Sequence, residues 1–376
     1  MQENIYKINN ISFDIENQKF CLSHNNGMKI FDLEEFTLKE TSENKDFKLG
    51  NISYSQFLVK YDLIVFIGSQ KNKEFPQNIL VFFDIKNKKI IFQKKFDKNI
   101  TNFKCLSNFI FIAFETALII FSYNKEKNEL EQKEEHKIES NSLFECWEEN
   151  TDEILHKLYL SFPYEKYILV LIYSISEWRF EKKTKIQNPV NKIQNMFYIK
   201  KLNQIFISDE KAFYIYGIDV DDGQKKLCLY RGSNPGFITS ITLLNNEKYL
   251  AINNLNRTIH IFDLDINHNA FSFSNLIYGM YDIEEIYPSI RIYYKDILKK
   301  GEGDYYKNDF NEKGAMLYSD NNDELIIVAY NGIAFKIKID FKEKKYKLRS
   351  KVDYLEKKNI NKKVSLFNSG CEFIDE

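Results

Sequence analysis

Apolar and polar residues along this chain alternate in short bursts rather than in helical stripes. Aromatic and β-branched residues gather over a few positions, bounded by Asn, Asp, Gly and Lys, and no long segment keeps a 3.6-residue period. That pattern predicts an almost all-β protein. One burst recurs, a strand ending in an aromatic or aliphatic residue and often in aspartate. It is found at Met28-Lys29-Ile30-Phe31-Asp32, Leu80-Val81-Phe82-Phe83-Asp84, Leu118-Ile119-Ile120-Phe121, Leu169-Val170-Leu171-Ile172-Tyr173, Tyr214-Ile215-Tyr216-Gly217-Ile218-Asp219, Ile259-His260-Ile261-Phe262-Asp263 and Phe335-Lys336-Ile337-Lys338-Ile339-Asp340. About seven copies at roughly 40 to 50 residues, with one longer gap before the last, match the period of WD40-type blades. A small twisted sheet cannot cover both its faces alone, whereas radial stacking covers them and leaves only short edges. The expected architecture is therefore a single seven-bladed WD40-like β-propeller over residues 1–376. The repeats lack the Trp-Asp and Gly-His dipeptides of standard WD40 blades.

Two stretches interrupt the repeat. Residues 125–149 form a charged run, expected to be a solvated loop or short exposed helix between blades three and four. Residues 267–320 form a longer insert at the sixth blade, beginning Phe271-Ser272-Phe273-Ser274-Asn275-Leu276-Ile277-Tyr278-Gly279-Met280-Tyr281 and then turning rich in Lys, Gly and Asp.

Composition narrows the classes. Lys+Arg of 53 against Asp+Glu of 54 gives a net charge of −1, so no global field attracts nucleic acid and any anion binding must be local. Almost all basic residues are lysine, which gives each arginine more weight. Cys21, Cys105, Cys146, Cys228 and Cys371 are widely spaced with no Cys-x-x-Cys, so neither a metal site nor a disulfide framework is expected, and no cofactor is implied. The N-terminus shows no basic n-region and no apolar h-region. The longest apolar run, Tyr167 to Ile175, is far short of the ~20 residues of a membrane span. The expected protein is cytoplasmic, visits membranes from one side and is a monomer on its own. An enzyme is not expected: Gly-x-Ser-x-Gly, His-Glu-x-x-His and phosphate-cradling glycine loops are all missing.

One stretch carries candidate chemistry. Leu229-Tyr230-Arg231-Gly232 is followed by Asn256-Arg257-Thr258-Ile259-His260-Ile261-Phe262. Thr258 and His260 are two residues apart, so on an extended strand they share one face. A phosphate calls for such an arrangement: an arginine fork, hydroxyl donors and a histidine on rigid strands. The stretch resembles the Phe/Leu-Arg-Arg-Gly and Gly-Thr-Val-His-Ile-Phe motifs of the PROPPINs, phosphoinositide-binding β-propellers of autophagic and endosomal membranes, with Tyr230 in place of the first arginine. The resemblance extends to Ile11-Ser12-Phe13-Asp14 with Gly27-Met28-Lys29-Ile30-Phe31 in the first blade, Phe75-Pro76-Gln77-Asn78-Ile79-Leu80-Val81-Phe82-Phe83-Asp84 in the second, and Glu324 to Lys336 in the closing blade.

The resemblance implies two lipid pockets, of which this chain keeps one. In the second, Arg231, Thr258 and His260 would hold a phosphate with Ser240 as a further donor, while Asn253 and Asn254 stand where the family has serines. In the first, Asp209, Phe213, Tyr216 and Tyr230 replace a serine, a threonine and two arginines. An aspartate repels a phosphate and a tyrosine offers one neutral donor, so this pocket is not expected to bind inositides. A single headgroup contact needs a second attachment. The resemblance supplies one at the sixth blade, where Leu276, Ile277, Tyr278, Met280 and Tyr281 would insert into the membrane interface, with Lys295, Lys299 and Lys300 beyond. It also implies a partner surface on blades two and three at Pro76, Gln77 and Asn78, whose family partners include the large autophagy lipid-transfer protein. The function implied is a scaffold recruited to phagophore or endosomal membranes by phosphatidylinositol 3-phosphate or its 3,5-bisphosphate. The alternative is a protein–protein interaction propeller that has lost lipid binding.

Overall fold

The aspartate that closes the recurring burst is a turn cap. Asp32 Oδ1 accepts the N–H groups of Glu34 and Glu35 at 2.9 and 2.8 Å, and Asp84 Oδ1 that of Asn87 at 2.9 Å. Asp219 accepts from Asp221 and Asp222, Asp263 from Asp265 and Asp340 from Glu343, while Asn124 serves Glu126 and Lys127 in the same way. These Asx turns reverse the chain between the third and fourth strands of a blade. The structure, a computed structural model, describes residues 7–41, 49–139, 143–150, 156–255, 258–265, 285–294, 314–319, 323–330 and 332–353.

Seven sheets result. Blade 1 comprises Ile8–Asp14, Lys19–His24, Gly27–Asp32 and Leu38–Thr41; blade 2, Ile52–Leu58, Leu63–Gly68, Ile79–Asp84 and Lys89–Lys95. Blade 3 comprises Asn102–Leu106, Phe109–Ala113, Ala117–Asn124 and Glu129–Lys137; blade 4, Glu145–Asn150, His156–Tyr164, Tyr167–Ser174 and Arg179–Gln187. Blade 5 has Asn195–Ile199, Gln204–Ser208, Tyr214–Asp219 and Lys225–Tyr230; blade 6, Ile238–Leu244, Tyr249–Asn254, Thr258–Asp263 and Ile290–Tyr293; blade 7, Gly314–Ser319, Glu324–Ala329, Ile333–Asp340 and Lys345–Asp353. The sequence expectation of seven blades is met.

Position in the blade explains composition. Second strands such as Leu63–Gly68 and Phe109–Ala113 are buried along their whole length, because neighbouring blades cover both faces. Fourth strands such as Lys89–Lys95 hold only exposed and half-buried positions. In six of the seven blades the pairing of third and fourth strands shifts register once, as at Ile30/Phe31, Ile120/Phe121 and Lys336/Ile337. A bulge at this point increases the twist of the outer edge. Each blade packs on the next through its own apolar cluster. Ring closure rests on one of these, in which Phe20, Phe31 and Phe36 of blade 1 meet Leu317, Ile326 and Val328 of blade 7.

Both interruptions contain strands. The charged run is not a loop or helix: it holds the outer strand Glu129–Lys137 and the first part of Glu145–Asn150. An outermost strand faces water, so an acidic sequence is compatible with it. Within 267–320, Glu285–Ile286 pairs in parallel with Cys228 and Leu229 on the outer edge of blade 5, and the chain then returns to give the fourth strand of blade 6. This crossover ties blades 5 and 6 together.

Candidate functional site

Strand alternation sorts the candidate residues onto two consecutive blade junctions. In blade 6, Ile259 and Ile261 pack toward blade 7, whereas Phe262 packs on blade 5. In phase with Phe262, Thr258 and His260 face blade 5. On the neighbouring strand Arg291 lies directly opposite His260 and Tyr293 opposite Thr258, while Ile290 and Ile292 turn toward blade 7. From blade 5, Leu227 and Leu229 face blade 6, and Arg231 follows in the same phase. Arg231, Thr258, His260 and Arg291 thus meet at the junction of blades 5 and 6.

Arg231 is only 3% exposed. Its Nε donates to the Ala212 carbonyl at 2.6 Å and its Nη2 to the carbonyls of Lys211, at 3.1 Å, and Asn234. The guanidinium therefore clamps the loop between the second and third strands of blade 5 to the segment entering blade 6. Arg291 differs: it is exposed and, among the described residues, has no hydrogen-bond or ion-pair partner. Burial, then Arg231, then Arg291 push the His260 pKa down to about 4, so its imidazole is neutral at pH 7. Asn254 Nδ2 lies 3.3 Å from His260 Nδ1 and donates to the Thr258 carbonyl at 2.8 Å. Facing an amide N–H, Nδ1 is the acceptor, which leaves the ring proton on Nε2.

Ser240 is not part of this group. Its hydroxyl accepts the N–H of Met316 of blade 7 at 2.8 Å, and it lines the cavity inside the ring. Asn253 likewise turns away, accepting from the Tyr294 hydroxyl at 3.2 Å. Sequence reasoning missed Arg291. The available signal was the alternation Ile290-Arg291-Ile292-Tyr293, carrying one of only five arginines in the chain.

The junction of blades 4 and 5 has the opposite character. A cavity of about 450 Å³ is lined by Asp209, Phe213 and Tyr216, three of the four positions that the resemblance assigns to the first pocket, together with Tyr214, Glu210, Lys192 and Lys211. The fourth, Tyr230, packs on Tyr214 with ring centroids 5.2 Å apart and on the exposed Tyr287 at 5.3 Å. Tyr287 donates to Glu285 at 3.0 Å. Asp209 Oδ1 accepts the N–H groups of Lys211 and Ala212. Burial foremost, and Glu285 among the other causes, raise the pKa of Tyr214 and of Tyr216.

Gln77 and Asn78 donate their side-chain amides to the carbonyls of Ile100 and Phe96, and the Pro76 carbonyl accepts from Ile79. Gln77 and Asn78 brace the path from blade 2 to blade 3, and Pro76 closes the turn into the third strand of blade 2. Leu276, Ile277, Tyr278, Met280 and Tyr281 lie outside the described residues, as do Lys295, Lys299 and Lys300. The cavity inside the ring, about 540 Å³, is walled by Asn10, Ser12, Tyr54, Gln56, Ser240, Tyr330 and other residues, none of them acidic. Among the described residues no group of three metal-ligating side chains is found, and no helix is long and apolar enough to cross a membrane.

The class so defined is a seven-bladed β-propeller with a cationic cleft between blades 5 and 6. No protein-family model matches the chain. Among solved structures it is similar to Hsv2 of Kluyveromyces marxianus, with a TM-score of 0.67 at 11% identity over 93% of this chain and 100% of that one. Similarity to Hsv2 of Kluyveromyces lactis is comparable, with a TM-score of 0.67 at 15% identity over 93% and 99%. KlAtg21, solved in complex with the coiled-coil of AgAtg16, gives a TM-score of 0.64 at 15% identity over 92% and 99%. Hsv2 and Atg21 are PROPPIN proteins, so the propeller resembled in sequence is also the one resembled in fold.

Proposed function

We propose that this chain is a scaffold recruited to autophagic or endosomal membranes by a 3-phosphorylated inositide bound between blades 5 and 6. The carrying observation is the convergence of two arginines and a histidine on one face, with no carboxylate partner for either arginine among the described residues. Arg291 has an unengaged fork for the phosphate, His260 Nε2–H and Thr258 are neutral donors, and Arg231 contributes field while holding the cleft in shape. A phosphate entering such a field neutralises it and makes charge-assisted hydrogen bonds of about 1.5–3 kcal/mol each. Stable residence on the membrane draws on the sixth-blade segment around Leu276 to Tyr281. The edge of blades 2 and 3 around Pro76, Gln77 and Asn78 remains for a protein partner. The likeness to KlAtg21, solved with a coiled-coil, supports a partner of that kind in autophagy. The test is co-sedimentation with vesicles carrying phosphatidylinositol 3-phosphate or 3,5-bisphosphate. Binding should weaken tenfold or more in Arg291→Ala, and binding indifferent to Arg291→Ala combined with His260→Ala would refute the proposal.

The second reading is a protein scaffold without lipid binding. It is favoured by one observation, that three carbonyls already engage Arg231. Vesicle binding that requires Arg291 eliminates it.

A further inference from the structure

We propose that the cavity between blades 4 and 5 binds a zwitterionic phosphocholine headgroup, its trimethylammonium against the tyrosine rings and its phosphate toward Lys192 and Lys211. The lining holds two carboxylates, Asp209 and Glu210, and two lysines, Lys192 and Lys211, so its formal charge sums to zero. A polyanionic inositide finds no excess of positive charge there. A zwitterion finds both signs.

Three aromatic rings, Phe213, Tyr214 and Tyr216, stand beside the carboxylates. The electron-rich face of such a ring attracts a cation placed within about 6 Å of its centre. One ring in the row already holds one: the Lys225 ammonium lies 4.2 Å from the centre of Tyr216. The row continues through Tyr230 to Tyr287 with Glu285 beside it, which extends the negative potential beyond the cavity. Aromatic faces are only weak acceptors for ammonium N–H groups, and the Tyr216 face already carries the Lys225 ammonium. They therefore favour a quaternary ammonium, which has none to satisfy, over a primary one. Among the described residues Glu210, Lys192 and Lys211 form no ion pairs, so their charges are open to a ligand. The volume of about 450 Å³ lies in the range of small-ligand sites. None of this depends on the inositide cleft, which faces the next junction.

The test titrates the full chain with soluble phosphocholine, phosphoethanolamine and inorganic phosphate, observing saturation transfer to the ligand protons and heat of binding. Phosphocholine should bind at least tenfold more tightly than phosphoethanolamine and inorganic phosphate. Asp209→Asn keeps the turn-capping oxygen but removes the charge, and it should weaken binding several-fold, as should Tyr216→Ala. The surface pair Lys192→Ala with Lys211→Ala should lose phosphocholine while leaving the melting temperature unchanged. Equal binding of the three compounds, no binding, or indifference to these substitutions would overturn the proposal. Vesicles of phosphatidylcholine without inositides identify the source. Sedimentation that Tyr216→Ala abolishes assigns the site to the lipid, whereas soluble binding without sedimentation assigns it to the free headgroup. Loss of inositide binding in Arg291→Ala with phosphocholine binding retained separates the two sites.

Discussion

Replacing Arg231 with alanine separates a clamp from a ligand-gripping residue. The substitution removes three hydrogen bonds, to the carbonyls of Ala212, Lys211 and Asn234. A buried acceptor left without a donor costs about 1–3 kcal/mol, and the Ala212 carbonyl is bonded where water does not reach. The other two contacts are part-buried, so water replaces them in part, at about 0.5–1 kcal/mol each. The expected loss is about 2–5 kcal/mol. For 376 residues, an unfolding entropy of about 2.1 cal/mol/K per residue amounts to about 0.8 kcal/mol/K, so the melting temperature should fall by roughly 3–6 °C. Scanning calorimetry on Arg231→Ala and Arg291→Ala reads this directly. Arg291 is exposed and unpaired among the described residues, so its variant should melt within about 1 °C of the parent. Arg231→Lys should recover only part of the loss, because one ammonium on a flexible stem does not reproduce the planar fork. An unchanged melting temperature in Arg231→Ala, or a larger drop in Arg291→Ala, refutes the division of roles.

Acid should destabilise the fold through buried histidines. His24 and His260 both have pKa values pushed down to about 4 by burial, against 6.5 in the unfolded chain. The unfolded state therefore takes up protons first, and stability present above pH 6.5 falls as pH drops toward 4, by up to about 3 kcal/mol per histidine. Urea midpoints at pH 7 and pH 5 measure the fall, which His260→Gln should reduce. Gly68→Ala should unfold or severely destabilise blade 2, because an added Cβ would stand 1.6 Å from the Phe75 carbonyl oxygen; circular dichroism on the purified variant checks this. Asp84→Ala should cost about 1 kcal/mol in chemical denaturation by uncapping the turn at Asn87, and Asp84→Asn should restore most of it. Tyr230→Arg should gain no inositide affinity in vesicle sedimentation, because the new guanidinium would pair with Glu285, which lies beside the neighbouring Tyr287.

The blade repeat was legible because its signals are local. An Asx cap, a two-strand reversal and a fully apolar second strand each sit within a few residues of one another. The outer strands were less legible. Glu129–Lys137 carries too many carboxylates to resemble a strand by composition, and Ile290–Tyr293 joins its sheet only after a long excursion from Asp263. The same division runs through the site. Thr258 and His260 share a face because strand alternation dictates it, and that much follows from spacing. Arg291 reaches His260 through a non-local pairing that spacing does not reveal. Ser240 shows the converse. Two residues after Ile238, simple alternation would turn it toward blade 5, but the register shifts between Ile238 and Ser240 and sets it opposite Asn253, facing blade 7.

The same alternation explains how one pocket can change character without disturbing its neighbour. Tyr230 pairs across the sheet with Tyr214, on the face turned to blade 4, whereas Arg231, one residue on, turns to blade 6. Substitution at 230 therefore alters one junction only. The short parallel strand then sharpens the contrast. By pairing Glu285 with Cys228 it sets a carboxylate beside the tyrosine row, and six residues later the same chain delivers Arg291 opposite His260. One crossover segment thus adds negative charge to the aromatic junction and positive charge to the cleft. The two proposed sites, a cationic cleft beside a charge-balanced aromatic cavity rather than a repeated anion pocket, suit a surface on which anionic and zwitterionic headgroups are mixed.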